Sequence, residues 1–596
     1  MNKKNLTATA ILLLSGFAYA ADPTPSPQAE SWPPPLRGAN ANGTVTLTTD
    51  EFLKVPLDLQ NLRTSGRAVP FTVAKVAPTV DVALHNNLPN RSANGTGWSA
   101  WGDIAVASDG KVYVGTGNHG SNEKMPIDGG GYTFLYCWDP ATKTLKQVAD
   151  TNKILGVHPE DPKWSKMHAR ILEGQDKKIY FTLTLNDGGL SYKTKWTPHV
   201  SGGQLFQYDP QTGETKIVAT FPGEVTPTTL MDTKRNIFYA NLEGKTKHSD
   251  IALTALDLST GKLIYESGHD DVISSRNFAL ARDGKIYFNG RAGYWKYDPD
   301  TKTIASMNLQ IPVAPGFGKL IEGSILNLSA LVSELQSPKS ALTTYLRSQL
   351  TPATLALVNA YDSTQPIDSV SSKALATALQ TDLSVALQSP AFYTEDRFPA
   401  NSLTPQLQAL LKQKDKQDTD GLNRMLLAAA LPNLIATDMS QWMRSSTPET
   451  ANGYIYGTTT SGGQLFRYSP SKNEVTILGK NFAEGDYTPV TILSPDEKFL
   501  YFVPGGHGPG IDVDTPLVQY NIATGERKVI AFLKTSIAKA TNYAPSGTFG
   551  AKISADGSTI FINSNGSLEE EANPPKSSPG FGLTGIEAVH IPASER

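Results

Sequence analysis

Cysteine is all but missing. Of 596 residues only Cys137 is one, which excludes an internal disulfide, a Cys-x-x-Cys zinc site and a c-type haem attachment sequence. Net charge is nearly absent too: 53 Lys and Arg against 56 Asp and Glu leave −3. Nucleic acid is therefore not an expected partner, because its binders carry a basic patch or stripe. No stretch beyond the N-terminus approaches the ~20 uncharged apolar residues of a membrane span. No His-x-His or His-Glu-x-x-His spacing marks a metal centre.

What is present is turn-forming and aromatic: 50 Gly, 40 Pro, 22 Tyr and 21 Phe. Such a chain is too long for one ordinary core and too rich in turns to be mostly helix. With 39% apolar and 18% charged residues it has the composition of a folded protein. Residues 1–20 read as an export signal. Lys3 and Lys4 precede an apolar run from Leu6 to Phe17, and Ala18-Tyr19-Ala20 supplies small residues for cleavage. The expectation is cleavage after Ala20, a periplasmic or secreted product, and no membrane anchor. Ala21 to Pro35, rich in proline and small polar residues, reads as a flexible leader within an extension that runs to residue 75.

From Trp101 onward one pattern recurs: an apolar run, an Asp-Gly-like turn, a run of Tyr, Phe and Ile, a loop, then an Asp-Pro-x-Thr-Gly-like turn. Copies begin at SDGKVYVGTGNHG (108–120), GQDKKIYFTLTLND (174–187), DTKRNIFYANLEG (232–244), RDGKIYFNGRAG (282–293), NGYIYGTTTSGGQLFRYSPSKNE (452–474), SPDEKFLYFVPGGHG (494–508) and ADGSTIFINSNG (555–566). Four strand-like runs in roughly 40 to 50 residues is the repeat of a propeller blade. The turns agree, since Asp-Gly suits a tight hairpin and Asp-Pro-x-Thr-Gly ends on a permissive glycine. The expected fold is all-β, a seven-bladed β-propeller, with blades 1–4 over 76–319 and blades 5–7 over 448–596. The pattern leaves open whether TVDVAL (79–84) closes the ring against the last blade.

Glycine vanishes between Ser324 and Asp420. Leu403, Leu407, Leu410 and Leu411 fall at helical spacing, and Thr351-Pro352 and Ser402 or Thr404 before Pro405 fit helix starts. A helical insertion over 320–447 is expected between blades 4 and 5. It either packs on the propeller or forms a lid over one face.

In a four-stranded meander the Asp-Gly and Asp-Pro-x-Thr-Gly turns share one face and look standardised and unreactive. The opposite face receives the varied loops and seven of the nine His residues. Function tends to sit on such loops. His119 and His507, with Asp103 or Asp187, are the candidate ligands of a divalent metal. Lys166, His168 and Arg170 alternate along a strand and so share a side. Two cations and an imidazole are costly in a dry core, which argues for a water-filled channel and an anionic ligand. Arg276, Asn277, Arg291 and Asn186 extend that surface. His199 is a second imidazole there, or a loop residue bonded to backbone. Trp98, Trp101, Trp138, Trp164, Trp196 and Trp295 either stack on sugar rings or pack between blades.

The DGKIYF and GGQLFxYxPxTG blades resemble secreted bacterial seven-bladed propellers of the broad class that includes virginiamycin B lyase, gluconolactonase-like proteins, and oligogalacturonate and ulvan lyases. The resemblance covers about 76–319 and 448–592. It implies the propeller and leaves the activity open, because lyases, lactonases and binding modules share the architecture. No catalytic signature of these families aligns. The tryptophan-docking repeat of quinoprotein dehydrogenases is absent, so pyrroloquinoline quinone (PQQ) is not expected, nor is haem.

Two functions fit. One is a lyase for a uronic-acid-containing saccharide. Arg170 and Arg276 would neutralise the carboxylate, His168 or His199 would take the adjacent proton, and Tyr192 would protonate the leaving oxygen. The other is a non-catalytic propeller that binds a glycan or protein. Either way the expected ligand is an acidic saccharide or another small anion.

Overall fold

The computed structural model describes residues 32–64, 68–88, 98–102, 104–118, 132–156, 164–185, 203–243, 251–267, 277–290, 293–309, 311, 443–459, 463–483, 488–505, 514–568 and 582–596. Within the insertion it describes residues 332–333, 335–338, 341–361 and a few positions between 371 and 382. Seven blades follow one another, each built on an antiparallel meander, with a short two-stranded sheet, Trp164–Lys166 with Thr184–Leu185, beside the second. The second strands are Val112–Asn118, Ile179–Thr182, Ile237–Glu243, Ile286–Gly290, Ile455–Thr459, Phe499–Phe502 and Thr559–Leu568, in blades 1 to 7. These are the aromatic and β-branched runs of the repeats.

Seven apolar layers join the sheets into a ring, one between each neighbouring pair. Tyr113, Met167 and Phe206 join blades 1 and 2, Phe238 and Leu205 join blades 2 and 3, and Tyr239 and Phe288 join blades 3 and 4. Tyr294 stacks on Tyr468 at 4.6 Å between blades 4 and 5. Phe502 and Phe466's neighbour Leu465 join blades 5 and 6, Tyr501 and Ile562 join 6 and 7, and Ile586 and Val114 join 7 and 1. Each large apolar side chain buried this way contributes roughly 1.5–3 kcal/mol. No blade could bury both faces alone. The turns carry their own order: Lys111 N–H donates to Asp109 Oδ1 at 2.9 Å with Gly110 at φ 83°, and Gln211 N–H donates to Asp209 Oδ1 at 2.9 Å with Gly213 at φ 74°.

Thr79–Leu84 closes the ring by pairing with Leu583–His590 in blade 7. Described strands before residue 76 belong to the ring as well. Thr44–Thr48 adds a fifth strand to blade 7, and Thr72–Val73 pairs parallel with the outer strand of blade 6. Trp32, at the end of the expected leader, is docked by a bridge to Leu88.

Two carboxylates mark this closing blade. Asp81 is buried; burial opposes its charge, but His590 (2.8 Å), Lys143 (2.7 Å) and Thr46 hold its pKa down at about 2. Lys143 comes from blade 1, so this node ties the seam. Glu587 is fully buried on the face toward blade 6. Burial pushes its pKa up to about 8 against a hydrogen bond from Ser564, and its Oε1 has no hydrogen-bond partner.

The insertion leaves after Thr303–Ser306, the outer strand of blade 4, and returns at Met443–Ser446, the inner strand of blade 5. Its described helices include Ala341–Ser348 and Pro352–Ala360, the second started by Thr351, whose Oγ1 accepts from Thr354 N–H at 3.3 Å. The Ser402/Thr404 helix start lies outside the described residues. Among the described residues no helix is long and apolar enough to cross a membrane.

Candidate functional site

Outer strands carry register shifts in five blades, and several inner strands are broken or bulged as well. In blade 1 the inner edge breaks between Trp98–Ser99 and Ile104–Val106, and Trp101 sits in the break. In blade 2 it breaks between Trp164–Lys166 and Leu172–Glu173, and His168 and Arg170 sit there. Bulges place Arg444 in blade 5 and Phe549 in blade 7. Such irregularities re-aim side chains that a regular pleat would alternate between neighbours. Gly102 permits the first break: a Cβ on it would lie 2.0 Å from the Met167 carbonyl oxygen.

These side chains meet around the axis. The His168 ring stands edge-on to Trp101 at 5.6 Å, Trp101 leans on Phe549 at 4.7 Å, and the Arg444 guanidinium lies 6.0 Å from the Phe549 ring. Blades 5 and 7 are not neighbours, so the last contact passes in front of blade 6. A second path starts at Arg170. Its guanidinium donates to Asn277 Oδ1 and, at 3.4 Å, to the Phe278 carbonyl, reaching from blade 2 to blade 4 in front of blade 3. Asn277, itself buried, donates onward to Ser446 Oγ of blade 5. The two paths leave blade 2 in opposite directions and meet on the inner strand of blade 5. Together they form a collar around the channel.

Between this collar and the Asp-Gly turn face lies a cavity of about 590 Å³, with walls drawn from blades 2 to 7. Arg170 lines it, with Ser446 and Thr491 hydroxyls, Lys552, and the apolar Phe278 and Leu280. Its mouth is formed by Arg282, Glu449 and Glu497. The Arg282 backbone N–H donates to Glu449 Oε2 at 2.8 Å, and its guanidinium donates to Glu497 Oε1 at 3.3 Å and to the Thr450 carbonyl at 3.1 Å. Glu497 Oε2 also accepts from Ala451 N–H at 2.7 Å. The mouth is thus fixed across blades 4, 5 and 6. Ser108 and Glu173 repeat the same clasp between blades 1 and 2, at 2.6 Å.

Of the residues singled out from the sequence, His168 lies against Trp101 on one path of the collar, and Arg170 meets Asn277 on the other. Lys166 is the last residue of Trp164–Lys166, paired with Thr184. Asp103, His119, Asn186, Asp187, Tyr192, His199, Arg276, Arg291 and His507 lie outside the described residues. Among the described residues no three His, Cys, Asp or Glu gather as a metal site. The expectation that the turn face is unreactive needs correction. Its turns place a guanidinium and two carboxylates around a cavity mouth, because ARDGK, PETANG and SPDEK carry charges beside otherwise ordinary hairpins. Those charges were the available signal for Arg282, Glu449 and Glu497. Lys552 had none, since it reads as one more strand residue.

No family model and no curated protein matches the chain. Solved structures do. An oligogalacturonate lyase in complex with manganese is 8% identical, with 88% of this chain and 96% of that chain covered and a TM-score of 0.41. Virginiamycin B lyase from Staphylococcus aureus is 10% identical, with 85% and 98% covered and a TM-score of 0.37. Both fall in the class that the blade motifs resemble. The extracellular domain of a putative hybrid two-component system from B. thetaiotaomicron is 10% identical, with a TM-score of 0.39; the match takes in 83% of this chain but only 38% of that one. At such identities and scores, nothing about activity passes to this chain.

Proposed function

We propose that this is an exported propeller that acts on carbohydrate by taking an acidic saccharide into the axial cavity, with Arg170 meeting the carboxylate. The observation that carries this reading is the position of Arg170 at the inner end of a cavity that Lys552 also lines. A guanidinium presents its donors in a planar fork that matches a carboxylate. Asn277 and the Phe278 carbonyl each take a donor from a terminal nitrogen and hold the group in place, so a carboxylate would meet a fixed positive charge and would share the donors with them. Ser446 and Thr491 line the cavity as well, their hydroxyls paired with Asn277 and Ser445, and a hydroxyl has more than one site for hydrogen bonding. The export signal at residues 1–20 supports an encounter with saccharide outside the cytoplasm.

Lyase chemistry is the second reading, favoured by the closeness in sequence of His168 to Arg170. The guanidinium would neutralise the carboxylate and acidify the neighbouring C–H. His168 would accept that proton as the C–O bond to the leaving sugar breaks and the C=C bond forms, the departing oxygen taking a proton from water. His168 is turned to Trp101 and does not line the cavity, so recognition is better supported than elimination.

Calorimetric titration with a panel of uronates, run beside an absorbance assay for unsaturated product, tests both readings. Binding without product supports recognition alone. Product that disappears in His168→Ala supports the lyase. If neither binding nor product is found with any acidic saccharide, the proposal fails.

A further inference from the structure

We infer that the cavity receives the end of a saccharide, entering from the Asp-Gly turn face, and that it selects a terminal uronate followed by an uncharged residue. This rests on the acidic-saccharide reading above and names the substrate class within it.

The shape comes first. A saccharide chain bound along its length needs a groove with an entrance and an exit. Here the Arg170 guanidinium, held by Asn277 and Phe278 in front of blade 3, reaches across the inner part of the cavity and narrows the way through. Its volume of about 590 Å³ falls in the range of small-molecule pockets, roughly 300–1,000 Å³. The space therefore suits one or two sugar residues entering end-on.

Charge then sets the order of those residues. Arg170 at the inner end and Lys552 on the wall are both cationic, which favours the carboxylate going in first. The mouth carries two carboxylates, Glu449 and Glu497, against one guanidinium, Arg282, already engaged with Glu497. A second uronate at that level would stand beside those two carboxylates. A neutral sugar would meet carboxylate oxygens that accept hydrogen bonds from hydroxyls.

The test uses the full mature chain and isothermal titration. The probes are glucuronic acid, a disaccharide of glucuronic acid on a neutral hexose, a diuronide, and a long polyuronate. The expected result is that the uronosyl-hexose binds roughly fivefold more tightly than the diuronide, the size of one partly solvated like-charge contact. Glu449→Gln should narrow that gap. Polyuronate sites should count with chain ends, so shortening the polymer at constant mass should raise the number of binding sites. Leu280→Trp, which fills the cavity near its mouth, should abolish binding. Leu172→Trp reaches the same space from blade 2 and replaces it if the first variant melts early.

Polyuronate binding that scales with total residues, or a diuronide that binds as well as the uronosyl-hexose, would overturn this inference while leaving the acidic-saccharide reading intact. Failure of every uronate to bind would overturn both. The end-counting measurement needs no variant and stands even if both tryptophan substitutions prevent folding.

Discussion

At the seam of the ring the charged groups are engaged with one another; on the axis they also border a cavity. Asp81 accepts from Thr46, Lys143 and His590 and is only 1% exposed. It joins the N-terminal closing strand, the last strand and blade 1. Arg170 has fixed partners too, yet it lines about 590 Å³ of space. Both regions are polar and both join distant parts of the chain. Their difference is that the seam's groups are used up in closure, whereas those of the axis also border the space in which we propose a ligand binds. Substitutions should therefore separate into those that move stability and those that move affinity.

The largest effect is expected at Glu587. Its carboxyl titrates at about 8 in the folded chain against an ordinary 4.5. Above pH 4.5 the unfolded chain gives up this proton while the folded chain keeps it, so stability falls as pH rises from 4.5 to 8. Glu587→Gln should remove that slope and raise stability at pH 9 by about 3 kcal/mol, discounted from 1.36 kcal/mol per unit for the amide's own unmet hydrogen bonds. Denaturant titrations at pH 5 and 9 check this, and saccharide affinity should not change.

Next comes Arg170→Gln, which keeps a hydrogen-bonding group near Asn277 but loses the charge. Affinity for an acidic saccharide should fall about 10- to 100-fold, the equivalent of a charge-assisted hydrogen bond. Its melting temperature should move far less than that of a seam variant. A large melting shift with unchanged affinity would make Arg170 a structural strut.

Asp81→Asn should cost about 2 kcal/mol at neutral pH. The Asp81 pKa is depressed from 3.8 to about 2, so its contribution is present above pH 4 and lost as pH falls towards 2. The variant should flatten the acid limb of a stability–pH curve without touching affinity. The smallest effect is expected for Trp101→Phe. If the ligand sits below the collar, affinity should hold within about twofold, as for sites without shared partners.

Much of the fold was legible because the repeat is written in turn chemistry. Asp109-Gly110 and Asp139-Pro140 need only local geometry, and a local rule repeated along the chain gives seven blades. Thr351-Pro352 is local in the same sense, and so is the helix it starts. Strand alternation suggested a shared side for His168 and Arg170, and both sit in the break between Trp164–Lys166 and Leu172–Glu173. Pairing of Thr79–Leu84 with Leu583–His590 joins residues about 500 apart, Thr44–Thr48 then adds to Thr79–Leu84, and no periodicity announces such contacts. The collar was hidden for a different reason. Arg444 and Phe549 sit at bulges, where the two-residue period that guides a sequence reading breaks down. Glu449 and Glu497 were hidden by their setting, since a charged residue in a hairpin turn is ordinarily solvated surface.

The most direct test of the account is a crystal structure of the mature protein with a uronosyl-hexose disaccharide. The account predicts the sugar between the collar and the turn face, its carboxylate on Arg170 and its neutral residue at Glu449. A saccharide bound only on the opposite face, with the axial cavity holding solvent alone, would contradict it.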